Sequence, residues 1–183
     1  MDMHGAGYRH AMSVTKALRI AGLIDTSHSS QEAMDRGTAI HAALEYADQD
    51  DLEMDGLPEF IGPYLDAWTR MKLETGARIV EVEVAINDDT YRYSGRADRI
   101  VVIGEHRGVL DIKSGAAAPW HALQTAAYAQ GDPAVARWTC YLTHDGTYRL
   151  VRHTDRNDWQ KFLAALSVAK MRVEWGLAQE DKT

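Results

Sequence analysis

Hydrophobic residues recur along this chain with two periods, and the change of period separates predicted helices from predicted strands. Apolar residues spaced by three or four positions predict helices that begin near residues 14, 31, 58, 120 and 155. Between Ile79 and Ile86 the pattern alternates instead, with valines on one side and Glu81 and Glu83 on the other. Strict alternation is typical of a strand with one apolar face.

Capping residues and glycines mark the expected ends of these helices. Ser13 is a suitable N-cap, the residues before Gln31 form a loop and cap, and Gly76 ends the third helix. Gly37 lies inside the second helix, where glycine costs about 1 kcal/mol relative to alanine, so we expect another backbone to approach there. Residues 1–12 are expected to be flexible, and the acidic segment 48–56 is expected to be a solvated loop.

Two hairpins are predicted in the second half of the chain. The first joins the apolar runs 95–103 and 109–113 through a glycine-bounded turn, and the second joins 138–144 and 147–153 through Asp145-Gly146. The element order is helices, three strands, a helix, two strands and a helix. This order indicates an α/β protein in which helices pack on a mixed sheet.

Length, charge and cysteine content limit the number of domains, the partners and the location of the protein. A chain of 183 residues suits one domain, 1–183, with a sizeable core. Its net charge of −7 does not favour tight non-specific nucleic-acid binding. The single Cys140 excludes an internal disulfide, and a reducing cytoplasm is the default location. We expect no membrane contact, because no apolar run approaches the length of a span and no signal peptide is evident.

The first hairpin gathers charged residues. Asp111 and Lys113 are two positions apart, so they share one face of a strand, and folding the hairpin brings Asp98 roughly opposite them. Two clustered carboxylates invite a hard divalent cation such as Mg²⁺. An ordinary surface ion pair between Asp111 and Lys113 explains the spacing equally well.

This hairpin carries a family resemblance. Gly95-x-x-Asp98 followed by Asp111-Ile112-Lys113 resembles motifs II and III of the PD-(D/E)xK nucleases, in their RecB-like and Cas4-like branch.

Two more stretches resemble motifs of the same branch. His41, in the segment 37–41, resembles its upstream helical histidine, and Gln124-x-x-x-Tyr128 resembles its Gln-x-x-x-Tyr motif. The four motifs occur in the family's order over residues 37–128, and the similarity of pattern extends to about Gly176.

The resemblance implies a restriction-endonuclease-like αβββαβ core with extra N-terminal helices. It also implies a metal-dependent DNA nuclease, with exonuclease preferred, of the kind found in phages for recombination, repair or DNA processing. The implied partner is single- or double-stranded DNA ends in the cytoplasm of a bacterium or bacterial host. Oligomerisation is compatible with this, and no protein partner is indicated. The single cysteine excludes the iron–sulfur cluster of Cas4 relatives.

By the same resemblance, Asp98, Asp111 and the backbone carbonyl of Ile112 are the principal ligands of Mg²⁺ or Mn²⁺. Lys113 orients the attacking water or stabilises transition-state charge. His41 is a further ligand that makes Mn²⁺ more acceptable; on residue type alone, a histidine on an apolar helix stripe is more often a core residue.

Candidates around this centre are weaker. Glu81 fits the family's strand-one glutamate better than Glu83, although an exposed strand edge explains both. Gln124 and Tyr128 face the same way on a helix and suit phosphate oxygens; a cap and a half-buried tyrosine are the alternative.

Basic and aromatic residues complete the candidate set. Arg96, with Arg99 and Lys72, is a candidate for a phosphate track, and Trp120 is a candidate for stacking on a base. Exposed cations and packed tryptophans are common, so both readings stay open.

The sequence leaves two rival functions open. One is an RNA-directed or structure-specific nuclease that uses the same site. The other is a catalytically idle nucleic-acid-binding or assembly module on the same fold, against which the complete set of Asp98, Asp111 and Lys113 argues.

Overall fold

The computed structural model describes residues 11–25 and 30–179. Its helices and strands, in chain order, are β1 (Met12–Ser13), α1 (Val14–Ile20), α2 (Gln31–Asp48), a 3₁₀ turn (Glu59–Ile61), α3 (Gly62–Thr75), β2 (Arg78–Asp88), β3 (Tyr93–Ile103), β4 (His106–Lys113), α4 (Trp120–Tyr128), β5 (Ala136–Leu142), β6 (Tyr148–Arg152) and α5 (Asn157–Glu174).

A mixed sheet of six strands forms the centre of this part of the chain. β3 pairs with β1 in parallel and with β2 antiparallel, and the order continues from β3 through β4 and β5 to β6. The β3–β4 and β5–β6 pairs are antiparallel hairpins, whereas β4 and β5 are parallel. A parallel pair needs a crossover connection, and α4 supplies it. The α3–β2–β3–β4–α4–β5 run confirms the predicted mixed α/β fold class.

The sheet lies between two helical layers. Val109 and Leu110 are consecutive on β4 and therefore point to opposite faces, and each belongs to a different hydrophobic core. The core around Val109 is closed by α1, α4 and α5, through Leu18, Ala127 and Phe162. The core around Leu110 is closed by α2 and α3, through Leu44, Trp68 and Met71.

Local signals placed several ends correctly. The Ser13 side chain caps α1 and the Ser30 side chain caps α2, each by accepting a hydrogen bond from a backbone N–H three residues on. Gly76 adopts a left-handed conformation at the end of α3, as a C-terminal glycine should.

Other expectations need correction. Residues 1–10 of the segment that we expected to be flexible lie outside the described chain, whereas Met12 is buried and pairs with Tyr93, so the expectation is wrong for Met12. No backbone crowds Gly37: a Cβ there would meet Ser114 Oγ at 3.7 Å, which is ordinary contact. The segment 48–56 is not solvated throughout, because the Asp48 side chain is fully buried.

The alternation along β2 is broken. The register with β3 shifts between Ile79 and Glu81, and Glu83 has a φ of +54°. Irregularities of this kind change the direction of side chains locally, and they lie at Glu81 and Glu83.

Within residues 11–25 and 30–179, no helix combines the length and the apolar character needed to cross a membrane.

Candidate active site

β3 and β4 separate at the residues that carry the acids. Their backbone pairing runs from Ile103–His106 to Arg99–Leu110. Beyond that point, Asp98 Oδ2 accepts a hydrogen bond from the N–H of Ile112 at 2.6 Å. The Asp98 side chain thus replaces a backbone acceptor, and the two strands separate at the end of the hairpin that lies away from its turn.

Asp111 and Lys113 share one face, as predicted. Lys113 Nζ lies 2.7 Å from Asp111 Oδ2. The aspartate side chain is 2% exposed, so the simple surface ion pair is excluded. Despite this short contact, Asp111 Oδ2 makes no hydrogen bond of normal geometry to the described residues. It is a buried carboxylate oxygen with remaining capacity to bind a cation.

Burial dominates the electrostatics of both acids. It raises the pKa of Asp111 to about 6; the Lys113 charge opposes this rise and the Asp98 charge adds to it. Burial also raises the pKa of Asp98, against the opposing effects of Lys113 and the Ile112 N–H. Burial thus disfavours the ionised form of both carboxylates. A bound cation would favour the ionised forms and so oppose this effect.

His41 reaches this centre from α2. Its Nδ1 lies 3.7 Å from Asp98 Oδ2, and its side chain is 32% exposed, which does not match a core histidine. Burial lowers the pKa of His41 and the Lys113 charge lowers it further, while Asp111 and a backbone hydrogen bond to Ile112 oppose this. The imidazole is therefore neutral at neutral pH, which is the form that binds metals.

The structure thus brings together His41, Asp98, Asp111, Lys113 and the main chain of Ile112. The side chain of Ile112 is fully buried in the α2–α3 core and anchors the strand. A histidine nitrogen, two carboxylates and a peptide carbonyl are a suitable donor set for Mg²⁺ or Mn²⁺.

The donors are not yet arranged as ligands. Among residues 11–25 and 30–179, no three His, Cys, Asp or Glu side chains form a ready-made metal site. Two other contacts occupy the acids in this arrangement: Lys113 lies against Asp111, and the Ile112 N–H donates a hydrogen bond to Asp98 Oδ2. The chemistry of the donors fits a divalent cation, and small side-chain shifts would have to complete the geometry.

Glu83, not Glu81, lies beside the centre. Glu81 is half-exposed and pairs with Arg107 at 2.8 Å. Burial raises the pKa of Glu83, and the charges of Asp98 and Glu45 raise it further, which places both acids nearby. The preference for Glu81 came from the family resemblance, and the structure places Glu83 beside the acids instead. The shifted register between Ile79 and Glu81 and the positive φ at Glu83 separate the directions of the two side chains.

Gln124 and Tyr128 lie in the wall of the site. Both are buried on α4, and Gln124 Nε2 donates a hydrogen bond to the Tyr128 hydroxyl at 2.8 Å. The Tyr128 ring packs on Gly95, where a Cβ would come within 2.7 Å of it. Burial raises the pKa of Tyr128, and the Asp111 and Asp98 charges raise it further. The pair is thus close to the acids but more enclosed than exposed phosphate ligands would be.

Gly95 has a clear structural reason in this arrangement. Any side chain there would displace the tyrosine ring from the wall, so the first residue of the Gly-x-x-Asp motif makes room for the last residue of the Gln-x-x-x-Tyr motif.

The remaining basic and aromatic candidates fall into two groups, and Arg96 and Trp120 form the first. Arg96 remains 67% exposed, 3.7 Å from Glu83. Trp120 lies next to the centre, with Lys113 Nζ 5.5 Å from its ring centroid. Both positions remain compatible with a bound nucleic acid.

Arg99 and Lys72 do not form a phosphate track. Both bind Asp48, each at 2.7 Å, and Arg99 is buried. Arg99 also donates from Nη1 to the carbonyl of Asp98 at 2.7 Å.

Asp48 is thus a residue that sequence reasoning missed. It connects the end of α2 to the main chain of Asp98 through Arg99. Its spacing from His41 could have identified it. Asp48 follows His41 by seven residues, which is two helical turns, so both lie on the same face of α2.

His121 was also missed. It is buried on α4, and its Nδ1 lies 3.3 Å from the N–H of Ala118 and 2.9 Å from the Tyr141 hydroxyl. Burial lowers its pKa to about 3, and Lys113 contributes. A neutral ring there supports the aromatic surface next to Lys113; nothing in the local sequence pattern indicated it.

Comparisons with known proteins give distant similarities only. No family model matches the chain, and no curated protein matches it. Among solved structures, an alkaline exonuclease (LHK-Exo) from Laribacter hongkongensis is 14% identical, with 91% of this chain and 89% of that chain covered and a TM-score of 0.43.

Two further structures are similar at the same level. LHK-Exo in complex with dAMP gives a TM-score of 0.42 at 14% identity, with 91% and 89% covered. The protein SSO0001 gives 0.41 at 17% identity, with 99% of this chain and 83% of that chain covered. These similarities are too distant to assign an activity, so any assignment must come from the site itself.

Proposed function

We propose that this chain is a metal-dependent DNA nuclease of the PD-(D/E)xK type, with exonuclease activity preferred from the motif resemblance. The observation that carries the proposal is the convergence of His41, Asp98, Asp111 and Lys113 where β3 and β4 separate. All four come from motifs that the resemblance had already singled out. Processing of DNA ends during phage-type recombination or repair is the corresponding role.

His41, Asp98, Asp111 and the carbonyl of Ile112 would hold Mg²⁺ or Mn²⁺. When bound, such an ion polarises the scissile phosphate and acidifies a water molecule. The neutral imidazole of His41 and the ionised acids are then the ligand forms required.

Lys113 has a separate task. Its ammonium is 2.7 Å from Asp111 and 20% exposed, so it can contact both the site and an incoming phosphate. We assign Lys113 to positioning the attacking water and stabilising the negative charge of the transition state.

One observation favours a second candidate. The absence of a ready-made three-ligand cluster among the described residues is what a catalytically idle nucleic-acid-binding module would also show. The two candidates differ in whether the site binds a metal at all.

The deciding experiment incubates purified protein with end-labelled single- and double-stranded DNA, and with RNA, in Mg²⁺, Mn²⁺ or EDTA. We expect cleavage of DNA in either metal and none in EDTA. Asp111→Asn should abolish both cleavage and Mn²⁺ binding in calorimetry, whereas Lys113→Ala should abolish cleavage and keep Mn²⁺ binding, because an ammonium is not a ligand.

A matched control is Asp158→Asn. It removes a buried acid that pairs with Arg137 at 3.1 Å at the start of β5, and it should leave cleavage intact in the folded fraction. Full activity in EDTA would eliminate the metal mechanism. Nucleic-acid binding with no Mn²⁺ binding and no cleavage would favour the idle module, and preference for RNA would revise the substrate.

A further inference from the structure

A row of three side chains crosses the sheet from the candidate centre toward its β6 edge. Lys113 on β4 is in register with Tyr141 on β5, and Tyr141 is in register with Arg149 on β6. Residues in register on neighbouring strands project from the same face. Two strand spacings separate Lys113 from Arg149, which is roughly 10 Å between their backbones.

Contacts hold this row together. Lys113 lies over the ring of Trp120, whose ring centroid is 4.0 Å from that of His121. His121 lies 2.9 Å from the Tyr141 hydroxyl, and the Arg149 guanidinium lies 4.6 Å from the Tyr141 ring centroid. Each side chain is thus fixed by the next.

Arg149 is the outer member of the row and has the properties of a phosphate contact. It is exposed, and no carboxylate among the described residues lies within ion-pair distance of it. Stacking on Tyr141 fixes a planar guanidinium, whose fork of N–H donors matches the oxygens of a phosphate. A fixed, uncompensated cation is notable on a chain whose net charge is −7.

We infer that this row is a track for the phosphate backbone of the nucleic-acid substrate, running from Lys113 across β5 to Arg149. The inference rests on the proposed function, since it assigns the path by which the substrate strand leaves the site. Trp120 and Tyr141 form its aromatic floor, and Arg149 contacts a phosphate away from the reacting one.

The same strand supplies a matched control. Arg152 is also on β6, is also exposed, and also lies over an aromatic ring, with its guanidinium 5.8 Å from the ring centroid of Trp138. It is three residues from Arg149 and therefore projects from the opposite face. Trp138 belongs to the α2–α3 core, which confirms that face.

The test measures fluorescence anisotropy of a labelled oligothymidine strand in Ca²⁺ at several salt concentrations. We expect Arg149→Ala to weaken binding about 10-fold and to reduce the slope of log Kobs against log[salt] by roughly 0.7, the value for one lost contact to a single strand. Arg152→Ala should retain wild-type affinity and slope. Arg149→Lys should restore the slope, because the charge returns, and only part of the affinity, because the fork is lost.

Each of the contrary outcomes would overturn the proposed track. Wild-type binding by Arg149→Ala would overturn the track and leave the proposed function standing. Equal losses in Arg149→Ala and Arg152→Ala would show a general charge effect and would also overturn it. Failure of the wild-type protein to bind DNA or RNA at low salt would remove the proposed function, and the track with it.

Discussion

Asp111 is buried more completely than the lysine that pairs with it, and this difference shapes the chemistry of the site. Its side chain is 2% exposed, against 20% for Lys113. Because burial outweighs the attraction of the ammonium, the pKa of Asp111 is raised to about 6. An ionised carboxylate with unsatisfied capacity is costly to bury, and a bound cation would remove that cost.

This environment makes stability depend on pH. The folded pKa of about 6 lies above the unfolded value of about 3.9. Between these two values the folded state keeps the Asp111 proton, whereas the unfolded state releases it. The contribution of Asp111 to the free energy of unfolding is therefore fully present below about pH 4 and is lost as the pH rises through about 6. For metal-free protein we expect a loss on the order of 3 kcal/mol across that window.

Urea unfolding in EDTA at several pH values measures this loss. Other acids titrate in the same range, so the informative quantity is the difference between the wild-type protein and Asp111→Asn. This difference should change between pH 4 and 6 in the stated direction, whereas Asp158→Asn should retain the wild-type contribution from Asp111. A pH dependence identical in wild type and Asp111→Asn would contradict the assignment.

At the scale of elements, α2 is positioned by the charge at its last residue. Asp48 Oδ2 binds Arg99 Nε, and Asp48 Oδ1 binds Lys72 Nζ and Trp68 Nε1. An acid at a helix C-terminus is unfavourable for the helix dipole, so these partners must offset the cost. The contact fixes α2 to β3, and His41 lies two turns earlier on the same face.

We expect Asp48→Asn to destabilise the protein by roughly 3–5 kcal/mol, because it removes the nearer of the two carboxylates that pair with buried Arg99 and leaves only Glu83, at 3.6 Å. It should also weaken Mn²⁺ binding by displacing His41. Calorimetry on the folded fraction measures this, with Asp158→Asn as the control that removes another buried acid. In a double variant, Asp48→Asn should weaken Mn²⁺ binding no further once His41→Ala is present; additive effects would mean that Asp48 does not act through His41.

The elements that were predicted well depend on local signals. The bounds of α2 follow from its cap and its periodicity, and the hairpin around Asp98 and Asp111 follows from its apolar runs and turn. The position of Glu83 could not be predicted, because a register shift in β2 depends on its pairing with β3. Asp48 was assigned to solvent for the same reason: its partners Lys72 and Arg99 are distant in sequence.

At the scale of the whole molecule, the candidate ligands join two layers. His41 belongs to the helical layer of α2 and α3, whereas Asp98 and Asp111 belong to the sheet. A cation bound by all three would connect that layer to the sheet. Since the proposed ion would bind only the folded chain, in which these residues converge, its binding should raise the melting temperature of the protein.

The expected size follows from mass action. A free Mn²⁺ concentration 100-fold above Kd stabilises by about 2.7 kcal/mol, which for a chain of this size corresponds to a rise of roughly 5–10 °C. Scanning calorimetry with Mn²⁺ and with EDTA should show this rise in the wild-type protein and a smaller one in His41→Ala. Asp98→Asn and Asp111→Asn should show almost none, and Asp158→Asn should show the full wild-type rise from a lower baseline. If Mn²⁺ raises the melting temperature of Asp111→Asn as much as that of the wild type, the ion binds elsewhere on this acidic chain, and the convergence of His41, Asp98 and Asp111 is not a metal site.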